Sequence, residues 1–280
     1  VLFLKHVLIS YLLSIAIFLP LGPYMMGRLG CQRLFILANG IFLCGSLGCA
    51  LSHGVWFLLL FRAIQGLGGA FLGSTARLIM VRIFPKDQLY QAQISAATVV
   101  SLGLLLGPLM GGSLTTWLSW RWIFILNVPI VMIAVVAAFT LLSEMPKVDR
   151  ALSFPFLGFI SLGVFLLAML LCIEFSHEQH WGLVRQWLVF CMAIIAFALF
   201  VFKQKYGSTS LFNHDIWLNQ VAIWSFVTSF IFRLSMLGVP FMMSIFLQHI
   251  QHFSAIESGG MLSVAAVGVL ASKRNLKSMI

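Results

Sequence analysis

An all-α integral membrane protein is the architecture this sequence predicts, and three features carry the prediction. The first is composition. Of the 280 residues, 61% are hydrophobic and 9% are charged, and the mean hydropathy is +1.05. A soluble domain carries about 25% charged residues. The second is a series of apolar runs, each long enough for a bilayer that takes roughly 20 helical residues to cross. The third is the stretch 102–128, LGLLLGPLMGGSLTTWLSWRWIFILNV. Gly103, Gly107 and Gly111 recur every fourth residue there, with Pro108 among them. On a helix they line one face as a groove without side chains, which a neighbouring helix in lipid can approach closely. In water, so many glycines beside a proline would undo the helix.

Taken in order, about nine spans are expected, roughly at 6–26, 34–52, 55–81, 91–114, 123–142, 153–174, 186–203, 217–248 and 257–272. The run after Val1 has no basic leader and no small-residue cleavage site, so it reads as a span and not as a signal peptide. The chain starting at Val1, not Met, is expected to be a non-Met start or a clipped end. Pro108 is expected to kink the fourth span. The eighth is longer than a bilayer needs, and Gly238-Val239-Pro240 is expected to break it. Trp56, Trp117, Trp120, Trp122, Trp181 and Trp187 fall at the outer span ends, as an interfacial aromatic belt does.

The basic residues set an orientation. One set of loops holds Arg28 and Arg33; Arg77, Arg82 and Lys86; Lys147 and Arg150; Lys203 and Lys205; and Lys273, Arg274 and Lys277. The alternate loops hold only Arg121 and Arg185. By the positive-inside rule Val1 is expected outside, and the tail after Ala271 in the cytoplasm. This placement also explains the net charge of +10 without nucleic acid, since the cations are scattered between apolar runs.

Two cations lie within spans. An arginine at the bilayer centre costs about 2.5–3.5 kcal/mol on insertion scales. Arg62 shares its helix face with Gln65 and Gly66, and Gly69 and Gly73 add a second close-packing pair. Arg62 is therefore expected to face a polar cavity; the plainer alternative is snorkelling to the surface. Arg233 falls mid-span with Ser229 alone to mark its face. The seven acids, Asp87, Glu144, Asp149, Glu174, Glu178, Asp215 and Glu257, all sit in loops or at span ends. Arg62's partner is thus expected to be a residue outside this chain, or else carbonyls and water.

Other chemistries find no support in the residues. His177/His180 and His249/His252 read as interfacial polar residues, since a metal needs three or four ligands. Cys31, Cys44, Cys49, Cys172 and Cys191 form no CxxC pair and read as small hydrophobes. Gly66-Leu67-Gly68-Gly69-Ala70-Phe71 lacks the last glycine of a dinucleotide loop. No enzyme, metal or cofactor is expected.

Several segments resemble a known family. Gly103-x3-Gly107-Pro108-x2-Gly111-Gly112 resembles the fifth-helix antiporter motif of the major facilitator superfamily. Arg62-x2-Gln65-Gly66 resembles its fourth-helix arginine motif. Trp120-Arg121-Trp122-Ile123-Phe124-Ile125-Leu126-Asn127-Val128-Pro129 resembles the entry to helix six in its 14-span drug:proton antiporters, the EmrB/QacA type. The segment from Phe232-Arg233 through Pro240-Phe241-Met242 and Phe246-Leu247-Gln248 is similar to the MdtD-like members. The resemblance implies a major facilitator fold without its first helix and last four. Residues 1–142 would be helices 2–6, 143–215 two extra linker helices, and 216–280 the start of the C-terminal bundle.

It further implies alternating access in the inner (plasma) membrane, exchanging protons for hydrophobic small molecules, with the proton gradient as energy source. Arg62, Gln65 and Arg233 would serve proton coupling and the cavity. Gly103, Gly107, Pro108, Gly111 and Gly112 would seal the bundle interface. The loop Pro23–Arg33 would be the cytoplasmic gate, with Arg28, Gly30 and Arg33 matching, but Gly27 replacing the motif's Asp and Pro23 its leading Gly. Two alternatives accompany the exporter: a truncated or decayed transporter with no transport of its own, and a non-transporting membrane sensor or assembly partner.

Overall fold

The computed structural model describes residues 2–142, 154–175, 183–207, 219–254 and 257–262. His177, Glu178, His180 and Trp181, the loop residues Glu144, Lys147, Asp149 and Arg150, Asp215, and most of the ninth expected span with its basic tail lie outside the described residues.

Every regular element among the described residues is helical. In order these are α1 (Leu2–Phe18), α2 (Gly22–Leu29), α3 (Cys31–Leu51), α4 (Val55–Ile83), α5 (Leu89–Trp117), α6 (Trp122–Ile125), α7 (Asn127–Leu141), α8 (Phe156–Phe175), α9 (Leu183–Tyr206) and α10 (Gln220–Ile245). Residues 257–262 are helical as well. Six stretches among the described residues are long and apolar enough to cross a membrane: His6–Leu29, Cys31–Leu51, Val55–Ile83, Trp122–Leu141, Phe156–Ile173 and Val184–Tyr206.

The contacts divide the chain into two compact units, Val1–Arg77 with Asn127–Asn219, and Leu78–Leu126 with Gln220–Ile280. In the first, α3 is the central helix: 44% of its apolar window is buried, against 28% or less for the other candidate spans. In its second half the inward positions are small (Gly45, Ser46, Cys49 and Ala50), so neighbours can come close there. On one side it meets α7, where Gln32 Nε2 donates to the Ala138 carbonyl at 3.3 Å. On another it meets α4, as described below. Helices α8 and α9 pair along their length through Ala168, Ala193 and Ala196, with the Phe165 and Phe197 rings 5.0 Å apart. Phe18 against Phe159, at 5.9 Å, ties α1 to α8.

Three local features differ from the sequence expectation. The expected gate loop Pro23–Arg33 is mostly helix. A 3-10 turn at Leu19–Leu21 leads into α2, and only Gly30 separates α2 from α3. Pro20 and Pro23 sit at helix starts, where a missing N–H costs nothing. Gly73, expected to pack closely beside Gly69, has no described residue within 4 Å of a Cβ built on it.

The third difference concerns α10, in the second unit. It runs unbroken past Gly238 and Pro240, and the irregularity comes later, as a π-turn at Phe246–Ile250. A single proline removes one helix hydrogen bond, which a membrane helix tolerates. Helix α5 likewise runs unbroken through Pro108. The turn after α5 carries the Arg121 guanidinium 4.6 Å from the Trp120 ring centroid, and Trp120 meets Phe124 edge-on at 6.0 Å.

Candidate functional site

Glycines bring α3 and α4 together. A Cβ on Gly45 would lie 2.5 Å from the Gln65 backbone nitrogen, and one on Gly68 2.5 Å from that of Phe42. On its other side α4 meets α1 just as closely. A Cβ on Gly66 would lie 2.5 Å from the Tyr11 carbonyl oxygen, and Ser14 Oγ donates to the Ala63 carbonyl at 2.6 Å. The two contacts place the middle of α4 between α1 and α3, and the polar side chains there meet each other instead of lipid.

Arg62 is the centre of this cluster. Its Nη1 donates to Gln65 Oε1 at 3.1 Å, one turn along α4. The guanidinium carbon lies 5.4 Å from the Tyr11 ring centroid, within cation–π range. Gln65, 2% exposed, passes the contact on: its Nε2 donates to Ser46 Oγ on α3 at 2.7 Å. Ser46, fully buried, also accepts from Asn127 Nδ2 at 3.2 Å, at the first residue of α7. A continuous hydrogen-bonded chain thus runs from α4 through α3 to α7. The buried thiol of Cys49 lies one turn from Ser46 on α3.

This arrangement can hold a permanent cation inside an apolar bundle with its fork oriented by neutral dipoles. Arginine offers only donors and keeps its charge, so every group facing it is obliged to accept. Among the described residues, Arg62 has against it an amide side chain three residues on and an aromatic face from α1.

The other residues singled out in sequence lie elsewhere. Arg28 and Arg33 are exposed on either side of Gly30, which has φ +82 and ψ 165. Only glycine adopts that conformation without strain. Beneath it, the buried Cys31 thiol lies 3.3 Å from Met26 Sδ. In the second unit, Gly103 and Gly107 are exposed and Gly112 is buried. Among the described residues nothing comes within 4 Å of a Cβ placed on Gly103, Gly107 or Gly111. Pro108 and Arg233 lie on α5 and α10, and their side chains are outside the described residues. Among the described residues no three His, Cys, Asp or Glu side chains gather in a metal-sized group.

The family model of the Major Facilitator Superfamily matches residues 3–276. The chain belongs to this superfamily. It is a multi-pass membrane protein of a transporter family, not of an enzyme family. Among its relatives is a protein of Escherichia coli O81 (strain ED1a) named "Putative multidrug resistance protein MdtD", 30% identical over 268 residues. That match covers 96% of this chain and 56% of the relative. A protein of the same name from Salmonella typhi is 31% identical over 271 residues, covering 96% and 57%. The chain therefore spans somewhat over half the length of the curated relatives it matches.

Within the superfamily's fold, sequence reasoning found Arg62 and Gln65 but missed Tyr11, Ser46 and Asn127. Helical spacing relates residues on one helix and is silent on which helix comes next. A buried serine at the centre of an apolar run, between Gly45 and Cys49, was the one signal in α3.

Proposed function

We propose that the chain is part of a secondary active transporter that exports hydrophobic small molecules in exchange for protons by alternating access. Its membership of the superfamily and the name of its relatives support the class. The observation that carries the reading is Arg62: a cation held inside the helix cluster by Gln65 and the Tyr11 ring. A charge inside the membrane is costly and marks a functional pathway by default. Here it would lower the proton affinity of an acid facing the same cavity, an acid that is not among the seven of this chain. The orientation we adopt has Val1 outside and the basic tail in the cytoplasm, supported by the distribution of Lys and Arg. In this reading residues 1–142 supply helices 2–6, 143–215 two linker helices and 216–280 the start of the second bundle. The α5 glycines seal the bundle interface, Arg28, Gly30 and Arg33 gate the cytoplasmic side, and Arg233 lines the cavity.

The test is efflux of a lipophilic dye by everted vesicles carrying the complete reading frame that contains this chain. Efflux is expected to stop when a protonophore dissipates the gradient; efflux that persists would remove proton coupling. One observation favours the alternative of a decayed transporter: Gly27 stands where the gate motif has its Asp, so the latch has lost its charge. In that case wild-type vesicles show no efflux at all.

A further inference from the structure

We propose that Asn127 is a positioning residue for Arg62, acting through Ser46 and Gln65; the inference rests on Arg62 being the coupling residue. The polarity of the hydrogen-bonded chain leads to it. Arg62 only donates, so Gln65 has to turn Oε1 toward it, at 3.1 Å. That leaves Gln65 Nε2 facing α3, where it needs an acceptor. Ser46 Oγ is that acceptor at 2.7 Å. A hydroxyl has two acceptor sites and one proton. Asn127 Nδ2 fills the second site at 3.2 Å. With both sites taken by amide donors, the Ser46 proton is directed away from Gln65, and the Gln65 amide is held in the one orientation that serves Arg62. Without Asn127, Ser46 can turn its proton toward Gln65. The amide then gains a competing orientation that presents Nε2 to Arg62, donor against donor.

Asn127 suits this role by its place in the chain. It opens α7, directly after the turn at Leu126 that separates α6 from α7. Through its amide the start of α7 joins the hydrogen-bonded chain that ends on Arg62 of α4.

The reporter is the thiol of Cys49, buried and one turn from Ser46. Its alkylation by a membrane-permeant maleimide in native membranes, quantified by mass spectrometry, follows opening of the cluster. Asn127→Leu, of similar size but unable to donate, is expected to raise the rate about fivefold, the worth of one neutral hydrogen bond. In a Gln65→Leu background the same change should add nothing, because the relay is already cut. Asn127→His restores an N–H near the position of Nδ2 and should return the rate toward wild type. Ser46→Ala, which removes the acceptor of both amides, should raise the rate at least as much, which covers a Leu variant that fails to accumulate. An unchanged rate, or an equal rise in both backgrounds, would overturn the positioning role, since loosened packing alone ignores Gln65. Dye efflux read in parallel separates the two levels of inference. If wild-type vesicles lack gradient-driven efflux, the exporter reading falls while the alkylation pattern still decides the relay. If they have it, Asn127→Leu should lower the maximal rate and leave the half-saturating dye concentration unchanged; a change in half-saturation alone would overturn the role.

Discussion

Glycines recur along α3 and α4, and they recur along α5, but their surroundings are opposite. Gly45, Gly66 and Gly68 touch the backbone of the next helix. Gly103, Gly107 and Gly111 face open space among the described residues. Gly69 and Gly73 have the four-residue spacing of the α5 stripe, yet only Gly69 has a described neighbour within 4 Å of an added Cβ, so spacing alone does not make an interface. What differs is the partner. The α3 and α4 glycines allow an approach that closes around Arg62, Gln65 and Ser46, and hydrogen bonds join these three side chains. The proposed sealing role of the α5 stripe belongs to the whole transporter.

Alanine substitutions sharpen the contrast. Gly45→Ala should have the largest effect, because its methyl would meet the Gln65 backbone, which has no rotamer to escape into. Overpacking of this kind costs about 1–3 kcal/mol, and the upper end is expected. The measure is the thermal midpoint of the detergent-solubilised protein; an unchanged midpoint would mean that α3 and α4 do not approach as described. Ser46→Ala comes next. It leaves two buried amide donors without their shared acceptor, for a loss of about 1–3 kcal/mol in the same assay. Gly30→Ala should cost about 1–2 kcal/mol through backbone strain, since no described residue lies within 4 Å of the new methyl. Gly30→Asn should lose about as much, because asparagine's ease at positive φ is confined to the left-handed helical region and Gly30 has ψ 165; an unchanged midpoint for both would point away from strain. Gly107→Ala should be the mildest and opposite in sign, since alanine favours a helix over glycine by about 0.5–1 kcal/mol. A strong loss there would mean that the stripe is already packed.

Much of the helical layout could be read from residues. Every expected span with described residues coincides with helix, and Cys31–Leu51 and Val55–Ile83 begin and end within a few residues of expectation. Long apolar runs bounded by arginines leave a membrane chain little choice. The pairing of Arg62 with Gln65 was also legible, because residues three apart share a helix face. Tyr11, Ser46 and Asn127 were not, since their meeting depends on which helices pack side by side. The Gly30 hinge was legible only as a glycine among basic residues. That Pro23 begins a helix, and does not open a loop, follows from proline's fixed φ and missing donor, a property that fits either outcome until the neighbouring turns are known.

The most direct test of the account is flux through an Arg62→Ala variant of the complete reading frame, measured beside its abundance in the membrane. The account expects insertion at wild-type level and loss of proton-driven dye efflux, because the helix cluster loses its cation but no close-packing glycine. Wild-type flux in the inserted variant would contradict it, and Arg62 would then be a structural cation with no part in coupling.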